Sequence, residues 1–465
     1  MVLSAARSDA LPRDVAPSAA MAVLSPTVPR AGRDLLDRAL GWFGASMIAV
    51  GLGLAVVLVG ELAVPLAEGA HHDFLAFYAA GKLVLDGQAA SLYDAPTLTA
   101  IQRTIIPTPV GANGYMPFIN PPFAAVAFAP LAALPAQAAR ATWALVSLAL
   151  LAIAAARIAR PLPGRERVVG ALLLVLSFPA YHSLAEGQWS AAMLLGGLAA
   201  LEAARRGSWQ LAGLALATWW LKPQLIALPL LALALDRRWG TVAWSVLGGA
   251  ALTLASLPFV GLGVYGTYVG YLVQVGISHF TGAGAVARSV WQGNLATAEG
   301  LNGLLVGYLG QGSVVSVDAL WGALVAGLVG LWLVACRFQR PGFASPSGRR
   351  MLAAGIGVVL LVNPNLFVQD CVLVFLLLPA LWPLASPGYW RASVAVAGIA
   401  AVTLLDQPLS SHLFTLVLLG VVVALCLSSI ADARRQGSLE QHPRGRSQLH
   451  GALKRGGDER IRTAE

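Results

Sequence analysis

The run GWFGASMIAVGLGLAVVLVGELAVPL (41–66) decides the class of fold. It carries a single charged residue, Glu61, and it exceeds the roughly 20 apolar residues that a helix needs to cross a bilayer. Runs of the same character recur along the chain, at 137–159, 168–185, 188–204, 239–260, 316–336, 351–365, 369–385, 392–408 and 411–430. Several of these runs are shorter than a helix that crosses the bilayer perpendicularly, so helix tilt or local thinning of the bilayer is implied. We therefore predict an all-α polytopic membrane protein.

The composition supports this class. Of 465 residues, 57% are hydrophobic and 11% are charged, whereas soluble proteins carry about 25% charged residues. The net charge of +9 comes from arginines and lysines at helix ends and in the two tails, which is the distribution of a membrane protein and not of a nucleic-acid binder. Cys336, Cys371 and Cys426 lie in apolar runs, and they predict neither a disulfide framework nor a metal cluster.

The segment 208–235 decides the topology. It is interrupted at Lys222-Pro223, and an arginine pair flanks each end, at 205–206 and 237–238. A single crossing would leave one pair outside, against the positive-inside rule. Two short helices that meet at Lys222-Pro223 keep both pairs inside, and proline disfavours a helical residue before it. With this hairpin we predict about 10–12 transmembrane helices and cytoplasmic termini.

The domain organisation follows from this topology. Residues 1–38 are expected to form a cytoplasmic disordered tail without a cleavable signal, and 39–431 a multi-pass membrane domain of the cell membrane. Residues 432–465 are expected to form a basic, disordered cytoplasmic tail. Two long outer loops, at about 67–136 and 261–315, should carry short helices on the periplasmic or extracellular face.

Polar residues gather on this predicted outer face. The first outer loop contains HHDFLAFYAAGKLVLDGQAASLYD (71–94), in which residues 73–81 predict a short amphipathic helix on the membrane surface. Asp73 at its start could accept a proton from an incoming hydroxyl, or it could be a solvated loop acid. The other polar residues on this side suggest one outward-facing polar site. They are His182, Glu186, Gln188, Lys222, Gln224, Asn363, Asn365, Gln369 and Asp370.

Each of these residues also has a structural interpretation. The amide of Gln188 could bond a sugar hydroxyl or cap the next helix. Lys222, isolated between apolar runs, could bind a lipid phosphate as a point charge, or extend along lipid to the headgroups. Asp370 could orient a lysine or a histidine, or form a structural hydrogen bond. The function of His279 and Arg288, in the second outer loop, cannot be assigned from their pattern.

No motif for a nucleotide, a metal or a nucleophilic serine is present, and no DxD pair that would hold a sugar nucleotide through a metal. We therefore expect no cofactor and no metal. This pattern fits an enzyme whose sugar donor arrives as a lipid.

Six ordered segments together resemble glycosyltransferase family 87, the polyprenol-phosphate-mannose-dependent mannosyltransferase type of the GT-C superfamily. The resemblance runs from about residue 41 to 430. Its pieces are D-F-x-x-F-Y-x-A-G from Asp73, L-x-x-G-x-x-x-x-L-Y-D (loosely) from Leu83 to Asp94, N-P-P-F from Asn120, G-Q at Gly187-Gln188, K-P-Q from Lys222, and N-P-N-L-F-V-Q-D from Asn363 to Asp370.

The resemblance implies a GT-C-like helix bundle and an inverting transfer of a hexose, with mannose expected, from a polyprenyl-phosphate donor to a lipid or glycan acceptor. An acid in the first outer loop would be the base, and Asp73 occupies that position. Lys222 and Arg288 would contact the donor phosphate. A histidine that partners the base is expected later in the chain, and His279 is the main candidate. Tyr78, Glu186, Gln188, Gln224, Asn363 and Asp370 are expected to bind substrate or support the site.

Two other classes of function compete with this one. A glycolipid transporter or flippase would use the same polar cavity without a base, and it predicts polar residues through both halves of the bilayer and repeated halves. A non-catalytic membrane assembly protein would not need Asp73 and Lys222 together.

Overall fold

A computed structural model describes residues 30–64, 73–108, 115–281, 298–309, 314–338, 345–381, 388–409 and 411–441. Over these ranges the chain is helical and contains no strand. The α-helices are α1 Arg30–Ala63, α2 Phe74–Leu85, α3 Ala95–Ile105, α4 Pro122–Ala132, α5 Ala136–Ala159, α6 Gly164–Val175, α7 Phe178–Ala185, α8 Ser190–Arg205, α9 Trp209–Leu216, α10 Pro223–Leu235, α11 Trp239–Thr281, α12 Leu301–Leu309, α13 Val314–Phe338, α14 Pro346–Val362, α15 Leu377–Leu381, α16 Tyr389–Leu409 and α17 Leu413–Gln441. Short 3₁₀ segments cover Ala89–Ser91, Ala217–Leu221 and Val368–Leu376.

Six of the described helices are long and apolar enough to cross a membrane, or seven if the bent pair α6 and α7 is one span. The prediction of an all-α polytopic membrane protein is confirmed. Fewer helices meet the length criterion than the sequence predicted, because several predicted spans are short or interrupted. The run 188–204 becomes a helix of 16 residues, and 168–185 is bent by 48°. The six spans cover Arg38–Ala63, Ala136–Ala159, Trp239–Val273, Val317–Arg337, Tyr389–Asp406 and Leu413–Arg435.

The predicted hairpin at 208–235 is present. Helix α9 passes through a 3₁₀ turn to Lys222, and α10 begins at Pro223. The guanidinium of Arg238 lies 3.9 Å from the centre of the Trp209 ring, so the two ends of the hairpin meet. Since the ends are adjacent, Lys222 lies at the tip, remote from both arginine pairs.

Helix α2 is packed inside the protein, which differs from the predicted amphipathic helix on the membrane surface. Phe74 is fully buried, and Phe77 is 3% exposed. Their rings contact the ring of Phe128 in α4. The centroid of the Trp189 ring lies 6.0 Å from the ring centroids of both Phe77 and Phe128. The sequence is apolar on nearly every side of α2, and such a helix is stable only when it is buried all round. The helix ends at Leu85, and a turn at Asp86-Gly87 follows it.

Three segment boundaries differ from the predicted ones. Helix α11 continues through a break at Gly261 to Thr281, so the first part of the predicted loop 261–315 is helical. Helix α1 begins at Arg30, inside the predicted tail 1–38. Helix α17 extends to Gln441 and so covers the first ten residues of the predicted tail 432–465. An ion pair of 2.6 Å from Arg350 to Asp432 supports the extension. Polar helix-forming residues can continue a helix that apolar packing has already started.

Candidate active site

Asp73 lies directly before α2, in the position of an N-cap, but its side chain does not cap the helix. Its carboxylate instead accepts a hydrogen bond from Nε2 of Gln188. The backbone N–H of Asp73 donates to Oε2 of Glu186 at 3.1 Å, and the N–H of Phe74 donates to the Glu186 carbonyl at 2.8 Å. The start of α2 is therefore held to the turn between α7 and α8 by backbone hydrogen bonds. The carboxylate of Asp73 is not used to cap the helix, so it is available to the site.

Gly187 allows this close approach. Its φ of 69° is in the left-handed region, and a Cβ atom on it would lie 2.8 Å from Cβ of Phe74. Its carbonyl accepts a hydrogen bond of 2.7 Å from Nε1 of the buried Trp143. Only glycine meets both the backbone and the steric requirement. The Gly187-Gln188 pair thus holds the Gln188 amide against Asp73.

The pKa of Asp73 is raised to about 7, chiefly because the carboxyl group is buried and in part because the carboxylate of Glu186 lies nearby. The hydrogen bond from Gln188 and the charge of Lys222 act in the opposite direction, while Asp370 adds a smaller increase. A carboxylate with a pKa near neutral pH combines appreciable ionisation with a strong tendency to accept a proton. Asp73 can therefore exchange a proton near neutral pH.

Lys222 and Asp370 form a largely buried ion pair beside Asp73. Nζ of Lys222 lies 2.6 Å from Oδ1 and 2.7 Å from Oδ2 of Asp370. Asp370 is 1% exposed, and its Oδ1 also accepts a hydrogen bond of 2.7 Å from the hydroxyl of Ser190 at the start of α8. Asp370 therefore orients a lysine, one of the two roles that the sequence left open. Lys222 points into the protein and does not extend towards lipid headgroups.

The break between the two helical segments at Lys222 is itself held in place by hydrogen bonds. The backbone of Lys222 is extended between the 3₁₀ turn and α10, with φ −131° and ψ 84°. The side chain of Asn120 donates from Nδ2 to the carbonyl of Leu221 at 2.9 Å, and the carbonyl of Asn120 accepts from the Tyr93 hydroxyl at 2.8 Å. The N-P-P-F segment thus supports the backbone next to Lys222.

The segment Asn363–Asp370 connects this network to a second polar cluster. Oδ1 of Asn363 accepts from the N–H of Asn365 at 3.2 Å, and Asn302 donates to the carbonyl of Pro364 at 3.3 Å. Both observations place Asn363 in a turn before Asp370, where it shapes the backbone.

Glu299 and Asp406 form the centre of this second cluster. Asp406 accepts hydrogen bonds from the N–H groups of Leu413 and Phe414, at 2.7 and 2.8 Å, and so caps α17. Burial raises the pKa of Glu299 to about 9, and the charge of Asp406 and a hydrogen bond to it contribute. Glu299 is therefore protonated at neutral pH and donates to Asp406.

Two further predicted site residues, Tyr78 and Gln224, are not brought into the Asp73 network. Tyr78 is buried, and its hydroxyl donates to the carbonyl of Leu134 at 2.9 Å, which is a packing contact. Gln224 is exposed, and in the described part of the chain it makes none of the hydrogen bonds of this network. The side chain of His279 and the whole of Arg288 lie outside the described residues. Within those residues no group of histidine, cysteine and acidic side chains could hold a metal ion.

Sequence reasoning missed the roles of two neutral residues, Ser190 and Asn120. Ser190 stands two positions after Gln188 at a helix start, a place where serine is common without any function. Asn120 belongs to a segment that the sequence singled out, but its contact with Leu221 joins residues far apart in the chain. The signal that could have pointed to Asn120 was a polar residue in a segment otherwise rich in proline and aromatic residues.

A buried carboxylate beside a lysine–aspartate pair, in a bundle with apolar helices long enough to span a membrane, is suited to group transfer at a membrane. The sequence profile of glycosyltransferase family 87 matches residues 118–364, just over half of the chain. The chain belongs to glycosyltransferase family 87, and it is a membrane glycosyltransferase. The matched range includes Glu186, Gln188 and Lys222, whereas Asp73 and Asp370 lie on either side of it. No curated protein and no solved structure matches the chain.

Proposed function

We propose that the protein transfers a hexose, with mannose expected, from a polyprenyl-phosphate donor to a lipid or glycan acceptor on the outer face of the cell membrane. Asp73 is the base, and the configuration at the anomeric carbon is inverted. The observation that carries this proposal is the buried carboxylate of Asp73, which has a pKa of about 7 and is oriented by the Gln188 amide.

The reaction follows from the positions of these groups. The acceptor oxygen attacks the anomeric carbon from the side opposite the phosphate. The bond from that carbon to the phosphate oxygen breaks, and its electron pair leaves with the polyprenyl phosphate. The acceptor proton passes to Oδ1 or Oδ2 of Asp73. A protein dipole or charge that is already in place lowers the energy of the charges that develop in this step.

Lys222 is proposed to meet the developing charge on the leaving phosphate. An ammonium group has three N–H donors, and the contacts to Asp370 engage both carboxylate oxygens of that residue. Asp370 orients the ammonium but also offsets part of its charge, so a second cation would favour phosphate binding. Arg288 is proposed for that role.

Gln188 and Glu186 are proposed as positioning residues. Gln188 fixes the direction of the Asp73 carboxylate, while its own Oε1 is buried and accepts no hydrogen bond in the described structure. A sugar or acceptor hydroxyl is the kind of donor that would satisfy this oxygen. Glu186 holds the backbone of Asp73.

The direct test is transfer by the purified protein in lipid. Radiolabelled polyprenyl-phosphate hexoses are supplied with membrane lipid extracts, and the products are separated by their mobility. Label in a new lipid or glycan, dependent on Asp73, supports the proposal. Movement of the intact donor between leaflets without a new product would indicate a transporter and contradict it.

The proposed orientation has its own test. Ser91→Cys, in the first outer loop, should react with an impermeant thiol reagent in intact cells, whereas Arg206→Cys, between α8 and α9, should react only after the cells are opened. The opposite pattern would place the Asp73 site on the cytoplasmic face.

A further inference from the structure

A cavity of about 780 Å³ lies between α8, the hairpin α9–α10, and α13 and α14. It is lined almost entirely by apolar side chains, and Trp219 and Leu376 contribute to its lining. Volumes of this size, about 300–1,000 Å³, are typical of pockets that hold small molecules. The cavity therefore has room for a substantial apolar group.

The cavity runs along the hairpin from its tip towards its base. Trp219 lies three residues before Lys222, and its carbonyl accepts the N–H of Lys222 at 3.1 Å. At the base of the hairpin the lining includes Trp209 and Arg237. A molecule in the cavity would thus contact Trp219, which is hydrogen-bonded to the backbone of Lys222, and also the far end of the hairpin.

Two arginines line the cavity at the base of the hairpin. Arg237 and Arg337 line the cavity and are exposed. The neighbouring acid, Asp236, is paired with Arg238 at 3.0 Å, and Arg238 in turn stacks on Trp209. Among the ion pairs of the described residues, none involves Arg237 or Arg337. Two cations without an acidic partner at the mouth of an apolar cavity are complementary to an anionic amphiphile.

The phosphate at this mouth cannot be the one that Lys222 contacts. Lys222 and Arg237 flank opposite ends of α10, a helix of 13 residues. At about 1.5 Å rise per residue, the two ends are roughly 20 Å apart. A single phosphate group is far too small to reach both ends, so the arginines at the base require a different anion.

We propose that this cavity binds an anionic glycerophospholipid of the leaflet opposite the Asp73 site. One of its two acyl chains occupies the space between the hairpin and α14, and its phosphate lies between Arg237 and Arg337. Basic residues near a membrane surface attract anionic lipids, and the positive-inside topology places these two arginines on the cytoplasmic side. The bound chain fills the space beneath Trp219 and so stabilises the backbone that carries Lys222.

The test uses the purified full-length protein, stripped of lipid in a neutral detergent. Phosphatidylglycerol or phosphatidylcholine with identical dioleoyl chains is added, and bound lipid is measured by native mass spectrometry together with the melting temperature. We expect phosphatidylglycerol to be retained and to raise the melting temperature more than phosphatidylcholine does. The double variant Arg237→Gln/Arg337→Gln should bind phosphatidylglycerol at least about tenfold more weakly.

Two further variants make the result specific. Ala232→Phe places a large ring in the cavity and should reduce binding of the lipid, while Arg434→Gln, on an exposed part of α17 that does not line the cavity, should leave binding unchanged. Equal effects of the two lipids, or unchanged phosphatidylglycerol binding in the double arginine variant, would overturn the proposal. Displacement of phosphatidylglycerol by polyprenyl phosphate would also overturn it, since the cavity would then belong to the sugar donor.

Discussion

Nε2 of Gln188 donates a hydrogen bond to Oδ2 of Asp73, although the two residues are 115 positions apart in the chain. This bond joins the start of α2 to the turn between α7 and α8. Glu186, two residues before Gln188, raises the pKa of the same carboxylate, and the Gln188 bond lowers it. One short turn thus exerts two opposing influences on the proposed base.

The two opposing influences predict opposite changes in the pH dependence of transfer. If the ionised form of Asp73 is the base, the rate should rise with pH through about 7. Glu186→Gln removes a neighbouring negative charge, so the pKa of Asp73 should fall and the rise should move to lower pH. Gln188→Ala removes a hydrogen bond to the carboxylate, so the rise should move to higher pH. The measurement is kcat/KM for the acceptor as a function of pH.

A control separates these shifts from general damage to the protein. Gln102→Ala changes another buried glutamine, whose side chain hydrogen-bonds to the backbone of Met116. It should lower stability without moving the pH profile. Shifts of the same sign in the Glu186 and Gln188 variants would contradict the assignment of Asp73 as the titrating group.

Gly187→Ala is expected to abolish most activity. The substitution adds a Cβ atom 2.8 Å from Cβ of Phe74 in a left-handed backbone conformation, which would displace Gln188 from Asp73. Strain of this backbone type alone costs roughly 1–2 kcal/mol. Gly87→Ala is a matched control, because Gly87 has a φ of 68° but no atom within 4 Å of the added Cβ.

Transfer rates and melting temperatures of the two glycine variants give the comparison. Both should lose a similar amount of stability from backbone strain, while only Gly187→Ala should lose transfer. Equal activities would mean that the close contact with Phe74 does not position the site.

Lys222→Ala is expected to impair both folding stability and donor use. It leaves the carboxylate of Asp370 buried without its cation, and breaking a buried pair in this way typically costs about 3–5 kcal/mol. The double variant Lys222→Ala/Asp370→Asn removes both charges, so it should recover much of the melting temperature. It should not recover use of the donor if Lys222 contacts the phosphate. Lys222→Arg should restore donor use only in part, because the guanidinium differs in shape and reach.

Thermal unfolding and the KM for the donor distinguish the two roles of Lys222. A double variant that regains both stability and donor kinetics would show that the lysine has only a structural role.

Glu299→Gln is predicted to stabilise the protein at alkaline pH. The pKa of Glu299 is raised to about 9 in the folded state, above its usual value of 4.5. The folded protein therefore holds this proton more tightly than the unfolded chain, so stability should fall as pH rises from about 4.5 towards 9. Glutamine imitates the protonated acid and does not ionise. The melting temperature of the variant should exceed that of the wild type by a margin that grows with pH; a constant or decreasing margin would contradict the protonated Glu299–Asp406 pair.

Much of the fold follows from local sequence. Apolar runs such as 41–66 indicate spanning helices by length alone, and Lys222-Pro223 predicts a break because proline cannot continue a helix from the residue before it. The burial of α2 could not be predicted in the same way. Its helical pattern is compatible with a surface or an interior position, and the difference depends on Phe128 and Trp189, which are distant in the chain.

The sequence predicted which residues belong to the site better than it predicted which of them contact each other. Asp73, Gln188, Lys222 and Asp370 are polar residues beside apolar runs, which makes each a candidate, because polar groups at membrane depth need a partner. Which residue partners which depends on the tertiary arrangement of α2, α8 and the hairpin. The sequence left open whether Asp370 orients a lysine or a histidine or forms a structural hydrogen bond, and only the structure shows that its partner is Lys222.

In the proposed reaction, Asp73 takes the proton of the acceptor hydroxyl. The most direct measurement is the single-turnover rate of transfer from a labelled polyprenyl-phosphate hexose by Asp73→Asn, with donor binding and melting temperature measured on the same preparation. Asparagine keeps the size of the side chain but cannot accept the proton, so donor binding and folding should persist while the rate falls by about 10²–10⁴-fold. Asp73→Glu should also be slow, since displacement of the carboxylate by about 1 Å can cost roughly 10²-fold. Transfer by Asp73→Asn at a rate near that of the wild type would contradict the account.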